Sequence, residues 1–246
     1  MSHRLKNFNI LWIGMTVMFC TCSFSSNTDN SPYNISDASI TEGSTEMYYS
    51  LAVRKNYDAD EVPVVLVLAL HYGGETHSQF GREFLDAVIL PAYEKLRCIV
   101  VAPVAPLESG WANATTDKIV MKLMAQIQDE YNIDPERILV TGYSLGGIGT
   151  WYFAAKHPDY FTAAIPMSGS IPGNVNPIDA LPPTYVIHSS TDEVFPFEDV
   201  EEAVQNLKDK KLNVRLKVVD SVSHYNTPGF VIYLEDTIEW LSQIWM

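Results

Sequence analysis

The chain has 246 residues, 47% apolar and 19% charged, the make-up of one ordinary globular domain with a tail. That excludes disordered and collagen-like classes. Asp and Glu number 30 against 16 Lys and Arg, and the resulting net charge of −14 repels phosphate backbones and anionic lipid surfaces, so nucleic acid is not an expected partner.

Arg4 and Lys6 precede an apolar stretch from Phe8 to Phe19, broken only by Asn9, Gly14 and Thr16, and a polar stretch from Ser23 to Ser31 follows. Charge, apolar run and polar exit in that order are the grammar of an export signal. The run falls short of the about 20 apolar residues that a membrane-spanning helix needs. Residues 1–22 are therefore expected to be an export signal, residues 23–46 a polar linker, and the location secreted, periplasmic or surface-bound. Cys20 and Cys22 raise a lipoprotein version of the signal, in which a lipidated cysteine is the tie to a membrane. Phe19 and the absence of an aliphatic residue three places before Cys22 fit that version imperfectly. With Cys98, which opens an apolar run, these cysteines are too few for a disulfide framework, and none has zinc-site spacing.

From Met47 to Met246 there is no repeat and no second shift of composition, so 47–246 reads as one domain. Val64 to Leu70 is an unbroken apolar run, and Ile99 to Ala102, Ile138 to Val140, Ala163 to Ile165 and Tyr185 to Ile187 are shorter ones. Strands of that kind are buried on both faces, which predicts a mostly parallel sheet between layers of helices. Helical period appears between them. Ile119, Val120, Leu123, Met124, Ile127 and Tyr131 share one stripe, Val200, Ala203, Val204 and Leu207 another. Val214 to Val218 alternates as an edge strand does, and Val231 to Trp245 is expected to be one closing helix. The fold class is α/β. About 200 residues in three layers bury roughly 70% of their unfolded surface, enough for a self-sufficient core.

Gly142-Tyr143-Ser144-Leu145-Gly146 lies between a predicted strand, Arg137 to Thr141, and a predicted helix, Ile148 to Lys156. Glycines two residues either side of a serine let strand and helix approach in a tight turn that exposes the hydroxyl. Such a hydroxyl is a weak nucleophile until a base takes its proton, so a histidine oriented by a carboxylate must follow. His157 stands at the far end of the helix that Ser144 opens, about 20 Å away at 1.5 Å per residue. His188 falls inside an apolar strand, where a satisfied core histidine is the usual occupant. His224 lies in the loop Ser221 to Pro228, from which an imidazole can reach across the sheet edge, and it is the expected base. Asp192, past the strand end at Ser189, is the expected acid, with Glu193 the alternative and Asp220 too close to His224 along the chain.

An oxyanion needs two backbone N–H donors, one from Leu145 and one from Gly73 or Tyr72 in the loop Leu70-His71-Tyr72-Gly73-Gly74. His71 itself reads as structural. Trp111, Tyr143 and Trp151 lie in or beside segments that border the site, and Trp111 and Tyr143 are the expected substrate-binding rings, with a core role as the alternative for Trp111.

Those segments, with His188-Ser189-Ser190-Thr191-Asp192-Glu193-Val194-Phe195-Pro196, resemble the phospholipase/carboxylesterase and prolyl-oligopeptidase-like branch of the α/β-hydrolases. The resemblance covers nearly all of residues 47–246 and implies Ser144, Asp192 and His224 as a catalytic triad. It departs at Ser189, where many relatives have Gly, and at Tyr72, where they have a further Gly. The implied activity is ester hydrolysis on small-molecule or carbohydrate-linked esters, without metal or cofactor. A serine peptidase of the same branch, or a surface lipoprotein that binds without catalysis, are the alternatives.

Overall fold

The computed structural model describes residues 31–105 and 110–246. The expected export signal at 1–22, with Cys20 and Cys22, lies outside them. Eight strands form one sheet: β1 (Tyr33–Glu42), β2 (Thr45–Arg54), β3 (Val64–Leu70), β4 (Cys98–Pro103), β5 (Ile133–Tyr143), β6 (Ala163–Met167), β7 (Thr184–Ser189) and β8 (Val214–Val219). Their spatial order is β1-β2-β4-β3-β5-β6-β7-β8, with β1 and β2 antiparallel and β3 to β8 parallel. The α/β-hydrolase fold expected from the sequence is the fold observed.

The unbroken apolar strands are buried on both faces because helices cover both. Along β3, Val65, Val67 and Ala69 pack with Phe84, Leu85 and Val88 of α1 (Phe80–Phe84) and the π-helical turn Leu85–Ile89 that joins it to α2 (Leu90–Ala92). Its alternate residues Val64, Leu66, Leu68 and Leu70 pack on the other face with Ile119, Val120, Leu123 and Met124 of α3 (Ala114–Glu130) and Phe153 of α4 (Leu145–Lys156). The predicted stripe of α3 is thus the face it buries, and Asn113 caps the helix by accepting from the N–H groups of Thr115 and Thr116. Val200, Val204 and Leu207 of α5 (Phe197–Asp209) complete that layer against Trp151 and Val186. Cys98 is buried in the core, as expected.

Two expectations change. Residues 33–46 are not linker: β1 pairs with β2 along its whole length, from Tyr33 opposite Arg54 to Glu42 opposite Thr45. β1 buries only Tyr33 and Ile40, near opposite ends and on opposite faces, so its sequence is too polar to announce itself. The closing helix is also not continuous, being divided into α6 (Val231–Glu235) and α7 (Thr237–Ile244). There the Thr237 hydroxyl donates to the Leu234 carbonyl at 2.6 Å, and a hydroxyl bonded back to the preceding turn bends a helix.

The order of strands reverses at β3, since β4 lies on one side of it and β5 on the other. Parallel sheets open a crevice outside their carboxyl ends at such a point. Leu70 at the end of β3 is in register with Gly142 at the end of β5. The Tyr72–Gly73 loop and Ser144 therefore emerge side by side.

Tyr33 tests the place of β1, because its ring is only 4% exposed and its hydroxyl donates to the Tyr93 carbonyl at 3.3 Å. Tyr33→Ala is expected to lower the free energy of unfolding by about 3 kcal/mol, read as a fall in urea midpoint at unchanged slope. An unchanged midpoint would return these residues to a linker.

Candidate active site

Ser144 occupies a backbone conformation with φ 55° and ψ −114°, which L-residues rarely adopt. The turn is held from several sides. The Ser144 N–H donates to the Met167 carbonyl at 2.9 Å, and its own carbonyl accepts from Ile148 N–H at 3.0 Å. The flanking glycines are a packing requirement: a Cβ on Gly146 would overlap the Leu70 carbonyl oxygen, and one on Gly142 would overlap the Gly146 carbonyl. Helix α4 starts at Leu145, immediately after the serine, so its first N–H groups have no partner within the helix.

The histidine and the acid come from the next loops along the sheet. His224 follows β8, Asp192 follows β7, and the three side chains form one chain of hydrogen bonds. An ionised carboxylate only accepts, so His224 Nδ1–H donates to Asp192 Oδ2 at 2.9 Å. That fixes the tautomer, and Nε2 is left to accept from the Ser144 hydroxyl at 2.9 Å. His224 is 7% exposed and the Asp192 side chain is fully buried. Burial pushes the Asp192 carboxyl up, but the His224 bond and the N–H groups of Phe195 and Val194, at 2.8 and 2.9 Å, outweigh it. The carboxyl is held below its ordinary range.

Glu193 and Asp220 do not reach the imidazole. Glu193 has a different task, since its carboxylate accepts from the His224 backbone N–H at 2.7 Å and holds the loop rather than the ring. Tyr143 holds it from below. The Tyr143 hydroxyl donates to the His224 carbonyl at 2.6 Å and its ring lies 5.5 Å from the imidazole. Neither support has a spacing signature; the adjacency of Tyr143 to Ser144 and of Glu193 to Asp192 is the only trace.

Both rings expected to touch substrate are corrected to core. Tyr143 is 1% exposed and Trp111 is fully buried, its Nε1–H donating to the His71 carbonyl at 3.0 Å. Apolar surface of that size is worth more inside than lining an open cleft. His71 is structural, as expected. Its Nδ1–H donates to the Tyr72 carbonyl at 2.6 Å and its Nε2 accepts from Ala105 N–H at 2.9 Å, so the neutral ring pins the loop after β3 to the one after β4. Burial pushes its pKa down to about 4. His188 is only half satisfied. Nε2–H donates to the Phe195 carbonyl at 2.9 Å, closing the loop that carries Asp192, while Nδ1 has no partner among the described residues.

The residues expected to form an oxyanion hole lie side by side. A Cβ placed on Gly73 would stand 3.8 Å from Leu145 Cβ, so the Tyr72–Gly73 loop borders the N-terminus of α4.

A serine on a strained strand-to-helix turn at the switch point of a parallel sheet, with a histidine and a carboxylate from later loops, defines an α/β-hydrolase. Residues 105–229 match the dienelactone hydrolase family, and the chain belongs to that family. It is similar to feruloyl esterase C of Emericella nidulans, with 27% identity over 180 residues, 69% of this chain and 64% of that protein. It is also similar to the bifunctional acetylxylan esterase/xylanase XynS20E of Neocallimastix patriciarum, with 28% identity over 91 residues, 37% of this chain and 14% of that protein. The chain thus spans less than two thirds of either relative. A solved thermostable esterase shares 28% identity and a TM-score of 0.71, over 86% of this chain and 63% of that one.

The buried neutral His71 makes stability depend on pH with a definite sign. Its folded pKa, about 4, lies below its ordinary 6.5, so between those values the unfolded chain binds a proton that the folded chain refuses. Stability is present above pH 6.5 and falls as the pH drops toward 4. Between pH 7 and pH 4.5 the wild type is expected to lose about 2–3 kcal/mol more of its urea-unfolding free energy than His71→Asn. Asp192, whose pKa is lowered from 3.8, adds a same-sign loss only below that window, and the subtraction leaves His188 common to both proteins. Equal losses would contradict the assignment of His71 as a neutral strut.

Proposed function

We propose that this chain hydrolyses carboxylic esters with Ser144 as nucleophile, His224 as general base and acid, and Asp192 as the group that orients the imidazole. The observation that carries the proposal is the unbroken Asp192–His224–Ser144 chain, 2.9 Å at each link, ending on a serine at φ 55°. Family membership and the names of the relatives, feruloyl esterase and acetylxylan esterase, support the same reaction class.

The chemistry runs in two halves. His224 Nε2 takes the Ser144 proton as Oγ bonds to the ester carbonyl carbon, and the carbonyl π pair moves onto oxygen. Leu145 N–H, with the N–H of Gly73 or Tyr72, receives that oxyanion. Collapse breaks the bond to the alcohol oxygen, which takes the proton from Nε2 and leaves an acyl-serine. Water then gives its proton to Nε2, attacks the acyl carbon, and the acid departs as Oγ regains a proton. Asp192 stays ionised throughout and stabilises the imidazolium. Two preorganised N–H donors supply several kcal/mol of barrier lowering in systems of this kind, about 3–4 kcal/mol for a single donor.

The substrates proposed are small-molecule or carbohydrate-linked esters. The chain is proposed to act outside the cytoplasm, on the strength of the charged-then-apolar segment of residues 1–22. No observation favours amide over ester cleavage.

Hydrolysis of 4-nitrophenyl acetate tests the assignment. Ser144→Ala is expected to abolish turnover above background, and Asp192→Asn to lower kcat on the order of 10³–10⁴-fold with the unfolding midpoint nearly unchanged. Turnover of Ser144→Ala near the wild-type rate would remove Ser144 from the mechanism.

A further inference from the structure

The mechanism divides the space around His224. Nε2 must return its proton to the leaving oxygen, so the alcohol half of the substrate lies along whatever borders the open side of the imidazole. Asp192 occupies Nδ1 and the buried ring of Tyr143 backs the imidazole. Two further rings border the imidazole. Phe195 is half-buried with its ring 5.6 Å from that of His224, and Tyr225 stands at 81° to the imidazole at 5.7 Å.

Tyr225 is 78% exposed, and among the described residues its hydroxyl has no hydrogen-bond partner. An aromatic ring left in water beside a reacting group that a second ring also borders marks a surface that a ligand covers. The frame beneath it is fixed. Phe195 N–H donates to Asp192, the Phe195 carbonyl accepts from His188, and Tyr225 N–H donates to Ser223 Oγ at 3.2 Å. Rings carried on a backbone already tied to the triad present a prepared platform.

Charge narrows the occupant. The carboxylates beside the platform, Asp192 and Glu193, have no Lys or Arg partner among the described residues, and the whole chain carries −14. An anionic alcohol is repelled there, whereas a neutral ring with an apolar face and hydroxyl donors at its edge suits both the aromatic rings and the exposed carboxylate of Glu193. We infer that Phe195 and Tyr225 form an alcohol-side subsite, with Tyr225 as the platform for the ring of a neutral sugar alcohol. The inference rests on the ester-hydrolase reading above. It assigns the ring to the alcohol and makes no use of a dedicated acyl pocket.

The test compares kcat/KM on three esters: ethyl acetate, an acetate ester of methyl xylopyranoside, and ethyl ferulate. The full-length wild type, Ser144→Ala, Tyr225→Ala and Tyr225→Phe are assayed together. In Tyr225→Ala the ratio of sugar acetate to ethyl acetate is expected to fall roughly fivefold, and Tyr225→Phe to keep most of that ratio because the ring face does the work. The ratio of ethyl ferulate to ethyl acetate is expected to move less than twofold. A sugar ratio that does not move overturns the subsite, and so does a fall confined to the ferulate ratio, which would put the ring on the acyl side. A wild type without Ser144-dependent turnover of any of the three overturns the ester-hydrolase reading itself.

Discussion

Everything at the site depends on a backbone that is not at rest. A non-glycine residue at φ 55° and ψ −114° carries a cost of about 1–3 kcal/mol, and Ser144 holds it because its surroundings leave no alternative. Its N–H is committed to Met167, the neighbouring glycines touch the end of β3, and α4 begins at the very next residue. Relaxing the turn would break the junction of β3, β5, β6 and α4 at once. The strain is small beside that junction's burial, and it aims the hydroxyl at His224.

A second constraint follows from the first. A serine fixed so firmly is useful only if the imidazole is equally well held, and His224 comes from a loop rather than a helix or strand. Four groups compensate. Asp192 orients the ring, Glu193 takes the backbone N–H, Tyr143 donates to the carbonyl, and His188 closes the loop that carries the acid. Tyr143 adjoins Ser144 and Glu193 adjoins Asp192 in sequence, so the elements that deliver Ser144 and Asp192 also deliver supports for His224. The fold positions all three through the sheet's carboxyl edge, where the strand order reverses.

The sequence made the parallel core legible because strand segments covered on both faces must be apolar, and β3, β4, β6 and the central parts of β5 and β7 carry that mark. It also made the hydrogen-bonded set of Ser144, His224 and Asp192 legible, since strand, tight glycine turn, helix, acid and histidine occur in an order that few other sites require. β1 was hidden because this edge strand buries only Tyr33 and Ile40, one on each face, and leaves Ser36, Asp37 and Ser39 between them exposed. The break before Thr237 was hidden because a hydroxyl bonding backward leaves the helical period of Leu234, Ile238 and Leu241 intact. Trp111 and Tyr143 illustrate the general limit: a large aromatic beside a site has the same sequence signature whether it lines the cleft or supports it from beneath. Tyr225 had the opposite fate, a ring with no periodic neighbours that became conspicuous only through its exposure beside His224.

The central claim is that the strained turn at Ser144 directs one reactive oxygen toward a site with two waiting N–H donors and a preset imidazole. A crystal structure of the protein after reaction with a fluorophosphonate tests it most directly. The account predicts a single phosphorus bond to Ser144 Oγ. Its phosphoryl oxygen should lie about 2.7–3.1 Å from the Leu145 nitrogen and from that of Gly73 or Tyr72, with the His224–Asp192 bond intact. An unmodified Ser144, or a phosphoryl oxygen turned away from Leu145, would contradict it.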